Sequence, residues 1–403
     1  MLLNMTLIFC FLSACAGSEE RLIKKAAKIH ESILTVDTHC DTPMMLSDSS
    51  FDLGERHDEG CIDFPRMKEG GLHAEFFAVF TGQGPRDDSS FNNVHRKALE
   101  IFNAIHKNVE KNSTLAELAY TADDAYRIVQ SGKIAAFIGV ENGYPLGKDI
   151  TRVSEFYKLG ARYITLSHTK NNDICDSSTD PAGPENNGLS AFGTEVVKEM
   201  NRVGMMVDIS HVSDKSFFDV LKVTSTPVIA SHSSCRALCG SPRNLTDDML
   251  LALKQNGGVI QICILSNYLK TPDPNSILDE KIAELQKKYG DYNNLSEEIR
   301  KKMRKEYTDI ESKYAKLATV KDIVDHIDHV VQVIGIDYAG IGTDFDGGGG
   351  VDGCRTAAEM KNITIELLRR GYSKADITKI WGGNAMRVLR KVEATANAKS
   401  ASS

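Results

Sequence analysis

Eight short apolar runs rich in β-branched residues recur along this chain, each followed by a longer amphipathic stretch. They lie at about 33–38, 73–80, 134–140, 162–167, 204–209, 226–231, 257–264 and 337–343. Such alternation predicts repeated β-α units and a parallel sheet, because buried parallel strands read as continuous apolar runs while the helices between them show a 3.6-residue period. Eight units is the number that closes a barrel, so the expected fold class is α/β, a distorted (β/α)8 TIM-type barrel. Segments such as NNVHRKALEIFNAIHKNVEK and TDDMLLALKQNG read as the helices, with Ser213 and Thr246 placed to cap helix starts and Gly204 and Gly257 to end them. One barrel domain is expected over 15–390. It carries a densely charged, helix-prone insert at about 279–316, read as a helical hairpin, and a disordered tail over 391–403.

A barrel of this kind builds its site at the C-terminal ends of its strands, and ligand-capable residues fall there repeatedly. His39 and Asp41 follow the first run, Glu141 ends the third, His168 follows the fourth, His211 the fifth, His232 the sixth and Asp344 the eighth. In VDTHCDTP, the period of two along an extended segment points His39 and Asp41 the same way, so imidazole and carboxylate can reach one ion. Three histidines and two carboxylates suit two divalent ions, with one carboxylate bridging, since zinc accepts imidazole nitrogen and carboxylate oxygen together. Two ions about 3.5–4 Å apart can share a hydroxide that is nucleophilic at neutral pH.

Other suggestive residues are assigned elsewhere. His30, His57, His73, His95 and His106 stand apart from other ligands and are expected at the surface or in helix packing. His326 and His329, three apart among acidic neighbours, are expected on a solvated helix face. GIGTDFDGGGG lacks the GxGxxG spacing of a dinucleotide site, and its glycines are expected to let the backbone pass close to a ligand. No GxSxG elbow surrounds Ser231, which leaves His232 to a metal rather than to a nucleophilic serine. By itself Arg243 reads as a surface ion pair, and Asp346 as a turn residue.

Lys and Arg total 48 against 55 Asp and Glu, a formal net charge of −7, which disfavours a nucleic-acid partner. The N-terminal run MLLNMTLIFCFLSAC is too short to span a bilayer and reads as a signal peptide over 1–14. Leu12-Ser13-Ala14-Cys15 resembles a lipobox. Cys15 would then be lipidated, placing an exported bacterial lipoprotein on a membrane, on its periplasmic or surface face. In such a compartment Cys235 and Cys239 could pair with distant partners, one of the seven later thiols being left over.

Taken in order, VDTHCDTP, GVENGYPL, YITLSHTKNND, VDISHVS, PVIASHSSCRALCGSPRNLTDDML and GIGTDFDG resemble the membrane (renal) dipeptidase family, the zinc dipeptidases of the amidohydrolase superfamily. The resemblance spans about 33–389. It implies a distorted barrel of the metal-dependent hydrolase type, two zinc ions per chain, and cleavage of dipeptides, often with a D-residue at the C-terminal position. It further implies that His39 and Asp41 bind the first zinc, that Glu141 bridges both, and that His211 and His232 bind the second. His168 would contact substrate and stabilise the tetrahedral intermediate, Arg243 would hold the C-terminal carboxylate by bidentate pairing, and Tyr268 matches a pocket tyrosine. Asp344 looks like the acid/base that moves a proton from the attacking water to the leaving amine.

The chain also departs from the family pattern. QICILSNYL places Cys263 and Leu265 where the family usually has an Asn-aromatic pair, and some members have His in place of Tyr144. The 279–316 insert looks larger than in the mammalian enzymes, with a lid or homodimer contact left open. The expected function is a zinc-dependent dipeptidase. The alternatives are a related amidohydrolase acting on an N-acyl-amino acid or a lactam, and an inactive binding lipoprotein. Arg243 favours a substrate with a free carboxylate, and a pure binding protein has no use for a proton-transfer acid at Asp344.

Overall fold

A computed structural model describes the chain except residues 1, 48–50, 272–276, 291–294, 315 and 401–403. Among the described residues nine strands form one parallel sheet: β1 (Val36–Cys40), β2 (Ala74–Phe80), β3 (Ala116–Leu118), β4 (Ile134–Glu141), β5 (Ala161–Thr165), β6 (Met206–Asp208), β7 (Ile229–Ser233), β8 (Val259–Ile262) and β9 (Ala339–Ile341). Eight follow in the order β1-β2-β4-β5-β6-β7-β8-β9, and each coincides with one of the eight apolar runs. The seam between β9 and β1 closes just past the strands. There Asp344 N–H donates to His39 O at 3.0 Å and Asp41 N–H donates to Phe345 O at 2.8 Å. The Asp37 carboxylate reinforces it, accepting from Thr343 N–H at 2.7 Å and Thr343 Oγ1 at 2.5 Å. The barrel is thus locked by the segments that carry candidate ligands.

The ninth strand, β3, has no counterpart among the expected runs. It pairs with the start of β4, Ala116 opposite Ile134, on the edge that β5 occupies further along. Three residues are too short to show a period. Along β4 the alternation of faces puts Phe137, Gly139 and Glu141 on one side, and their neighbours Phe76 and Tyr163 show which side that is. Phe76 stacks on Phe137 with centroids 4.5 Å apart and lies 5.7 Å from the Tyr163 ring, so this face is the packed barrel interior and Glu141 its uppermost member.

Ser213 and Thr246 cap helices Asp214–Val223 and Asp247–Asn256, while Gly204 and Gly257, both left-handed, end helices Ala191–Val203 and Asp247–Asn256. The charged insert contains helices Ile277–Tyr289 and Glu297–Tyr314, tied by Lys288 and the Tyr289 hydroxyl to Glu306. No helix among the described residues is long and apolar enough to cross a membrane. Residues 2–14 form the first part of helix Leu2–Glu31, whose Ala26, Ile29 and His30 are buried.

Three expectations are corrected. Over 391–400 the tail is not disordered: helix Asn384–Ser400 continues through it, Val392 is fully buried beside Met386 and Leu389, and Glu393 accepts from Ala122 N–H at 3.0 Å, while 401–403 lie outside the described residues. A stretch of small and polar residues is ordered there by what it packs against. His326 does not lie on a solvated face. It is 1% exposed, its Nδ1 accepting from Cys235 N–H at 3.0 Å and its Nε2 donating to Leu269 O at 2.9 Å. His329 pairs with Asp247 at 2.7 Å. Finally, Cys235 and Cys239 form no disulfide; they are free thiols, as are Cys40, Cys61, Cys175, Cys263 and Cys354.

Candidate metal centre

The strand ends deliver the expected side chains to one place. Glu141 closes β4, His39 and His232 lie in β1 and β7, and His168, His211 and Asp344 follow β5, β6 and β9. Glu141 is the hub: its Oε1 lies 3.0 Å from His211 Nε2, 3.5 Å from His232 Nε2 and 3.6 Å from His168 Nε2, and its Oε2 lies 3.6 Å from His39 Nε2. Asp41 Oδ2 is 3.9 Å from His39 Nε2. Three groups of ligand atoms, each within 4.8 Å of one another, result: His39, Glu141 and His232; Glu141, His168 and His211; and His39, Asp41 and Asp344. Glu141 belongs to two of them and His39 to two.

These residues fit a metal centre on grounds of hydrogen bonding. His39 Nε2, Asp41 Oδ1, Glu141 Oε2 and His211 Nδ1 are all buried without a hydrogen-bond partner. Leaving such atoms unpaired costs about 1–3 kcal/mol each, more when charged, so a folded chain that gathers three of them, His39 Nε2, Asp41 Oδ1 and Glu141 Oε2, at one place presents ligands in search of cations. Electrostatics agree. Burial pushes the Glu141 carboxyl up to about 8 and the Asp344 carboxyl to about 7, and holds Asp41 well above its ordinary value, neighbouring carboxylates adding to the effect in Asp41 and Asp344. Burial, followed by the Arg243 guanidinium, lowers His168 to about 3 and His211 well below the imidazole range; in His232, burial and then His39 act in the same direction. Neutral imidazoles are the ligand form, and crowded carboxylates are the groups a divalent cation would relieve.

Two backbone features hold this arrangement. His211 and Asp344 adopt left-handed φ values of 68° and 60°, a cost that non-glycine residues carry where the surrounding structure imposes it, commonly at functional sites. The glycines after Asp344 do permit close approach, but to the cluster itself: a Cβ on Gly347 would collide with the carboxylates of Asp41 and Asp344. Asp346, also at positive φ, accepts from Thr42 Oγ1 at 2.6 Å and Cys61 N–H at 2.7 Å, and so pins that loop to the segment after β1.

Arg243 is not in a surface ion pair. It is 3% exposed, donates through Nη2 to His232 O at 3.0 Å and through Nη1 to Ser233 Oγ at 3.4 Å, and leaves Nε unpartnered. Its guanidinium lies 5.2 Å from the Tyr268 ring centroid, which brings two of the three expected substrate residues together beside the cluster. His168 is the most open of the cluster's histidines, its side chain 21% exposed, tilted against Phe80 and His211. Cys263, at the end of β8, lies with Sγ 3.7 Å from Asp344 Oδ2.

Sequence reasoning missed the residues behind the ligands. His39 Nδ1 lies 2.8 Å from Tyr163 OH. His232 Nδ1 lies 2.8 Å from Ser231 Oγ, which donates to Asp208 Oδ2 at 2.7 Å. Asp208 ends β6 and Ser231 precedes a ligand, so their positions held a signal. Tyr163 is indistinguishable from any apolar residue in its run.

Residues 23–403 match a family described as membrane dipeptidase (peptidase family M19). Dipeptidase tcpJ of Claviceps purpurea is 36% identical over 340 residues, covering 83% of this chain and 70% of that one. The crystal structure of the probable dipeptidase PvdM from Pseudomonas aeruginosa is similar with a TM-score of 0.82 at 29% identity, covering 94% of this chain and 100% of that one. A metallo peptidase from Rhodobacter sphaeroides, liganded with a phosphinate mimic of the dipeptide L-Ala-D-Ala, shares the fold with a TM-score of 0.72 at 20% identity, covering 89% of this chain and 99% of that one.

Proposed function

Because the chain belongs to the membrane dipeptidase family and is a metallo-dipeptidase, we propose that it cleaves dipeptides, including those with a C-terminal D-residue, at a centre of two zinc ions. The observation that carries this reading is Glu141, a buried carboxylate shared by two ligand clusters whose remaining polar atoms are left unpaired. His39 and Asp41 would hold one ion, His211 and His232 the other, and Glu141 both. When bound, the ions would activate water as the nucleophile and polarise the scissile carbonyl.

The chain's own residues perform the rest. Arg243, held by His232 O and Ser233 Oγ, orients the substrate's terminal carboxylate, with the Tyr268 ring beside it. His168, neutral and partly open to solvent, donates to the oxygen that gains charge as the carbonyl becomes tetrahedral. Asp344, whose carboxyl is poised near neutrality by burial, takes the proton of the attacking water and returns it to the leaving amine. The barrel of about 15–390 would work at a membrane surface, exported and anchored through lipidated Cys15. Release of a Cys15→Ala variant into the soluble fraction supports that placement, and unchanged membrane association refutes it.

The decisive experiment is hydrolysis of a dipeptide panel, including L-Ala-D-Ala and L-Ala-L-Ala, before and after chelation and zinc restoration. Zinc-restored cleavage is expected, with the D-terminal dipeptide among the substrates. Two bound metals without cleavage would move the assignment to another amide, such as an N-acyl-amino acid or a lactam. Absence of bound metal would favour an inactive binding lipoprotein.

A further inference from the structure

The two histidines that stack across the mouth of the barrel, His39 and His232, are held from behind by different devices. Tyr163 is fully buried in the barrel interior and occupies the space above Gly139, where even a Cβ would collide with its ring. Its hydroxyl lies 2.8 Å from His39 Nδ1 and 3.1 Å from Thr38 O. A phenol has one proton, and a carbonyl can only accept. The proton therefore goes to Thr38 O, and His39 Nδ1–H donates to the phenolic oxygen. This fixes His39 in the tautomer whose lone pair is on Nε2, the buried nitrogen that has no partner and faces Glu141 and Asp41. Behind His232 the same task falls to a charge. Asp208 accepts from Ser210 N–H, Ser231 N–H, Thr165 Oγ1 and Ser231 Oγ, so the Ser231 hydroxyl has given its proton away and can only accept from His232 Nδ1–H.

We propose that Tyr163 and Ser231 are positioning residues, each setting the tautomer of one ligand histidine, and that they govern different ions: Tyr163 the ion at His39, Ser231 the ion at His232. The proposal rests on the two-ion reading above. Without its hydroxyl, residue 163 leaves Nδ1–H of His39 facing an apolar ring edge. The imidazole then gains by moving its proton to Nε2, where it can donate to Glu141 but cannot bind a metal. A partner on the far nitrogen is what orients a ligand histidine and raises its basicity.

The test uses the full chain as wild type, Tyr163→Phe, Ser231→Ala and the double variant. Metal-free protein is titrated with zinc against a chromophoric chelator, and the histidine ring nitrogens are observed by 15N NMR, the His39 signals being those missing from His39→Asn. Wild type is expected to bind two ions, Tyr163→Phe to lose about 10–100-fold in affinity for one, Ser231→Ala for the other, and the double variant for both. In metal-free Tyr163→Phe the His39 proton should move from Nδ1 to Nε2. Wild-type affinity for both ions in Tyr163→Phe overturns the proposal. So does an affinity loss with the His39 tautomer unchanged, which would mark a merely structural role, or both variants weakening the same ion. Wild type that takes up no zinc refutes the two-ion reading instead, and the metal-free spectra still decide the tautomer.

Discussion

Buried histidines occur in two regions of this molecule, and they are treated in opposite ways. In the helical shell, His30 is bonded through Nδ1 to Thr364 Oγ1 at 2.7 Å and through Nε2 to Gly70 O at 2.9 Å, and His326 likewise satisfies both nitrogens. At the barrel mouth, His39 is satisfied on Nδ1 and His211 on Nε2 only, each leaving a buried nitrogen bare, and His232 Nε2 meets no partner but His211 Nε2, 2.8 Å away. Since a bare buried nitrogen is costly, the shell shows what this chain does with a histidine when only packing is at stake. The mouth shows the cost being accepted where a ligand is to bind.

The contrast can be broken at either end. The largest effect is expected inside the mouth: Asp344→Asn should retain both metals while kcat falls about 10²–10⁴-fold, checked by metal content beside steady-state rates. Because Asp344 also shares a ligand cluster with His39 and Asp41, loss of metal in that variant would make it a ligand and remove its assignment as the acid/base. In the shell, His326→Leu leaves Cys235 N–H and Leu269 O buried and unpaired, each costing about 1–3 kcal/mol. Thermal unfolding should therefore drop by several degrees with zinc affinity unchanged; an equal loss of zinc would show that the two regions are coupled.

A smaller effect separates the regions by pH. With Glu141 raised to about 8 and Asp344 to about 7, the folded metal-free protein keeps protons that the unfolded chain has already released. Its Tm should fall as pH rises from about 6.5 to 8. The histidines, all held below their ordinary value of 6.5 where shifted, such as His30 and His168, act in the opposite sense only below that window. Zinc should reverse the trend, because ligand deprotonation favours metal binding. A metal-free Tm that is flat or rises over this interval would mean that the carboxylates at the mouth are not strained by burial.

Much of this was legible along the chain, for identifiable reasons. Strand period and parallel burial wrote the eight runs, and the candidate ligands at or just past the ends of those runs marked the mouth in advance. Local chemistry was readable too, as at the Ser213 and Thr246 caps. What resisted reading was set by partners distant in sequence. His326 looked solvated because its neighbours are acidic, whereas its two bonds reach residues 91 and 57 positions away. The tail looked disordered because its composition is small and polar, yet Val392 finds a cavity among strands and helices. Arg243 looked like a surface residue until the loop after β7 folded it over Tyr268.

The sequence by itself determined the barrel and the convergence of the candidate ligands at one end, since periodicity and strand-end placement are local properties that any closed eight-stranded sheet converts into proximity. Only the tertiary structure decided which nitrogen of His39 is free. That choice depends on where a single hydroxyl proton goes, and the hydroxyl that sets it for His39 belongs to a residue 124 positions away, brought within 2.8 Å by the closure of the barrel.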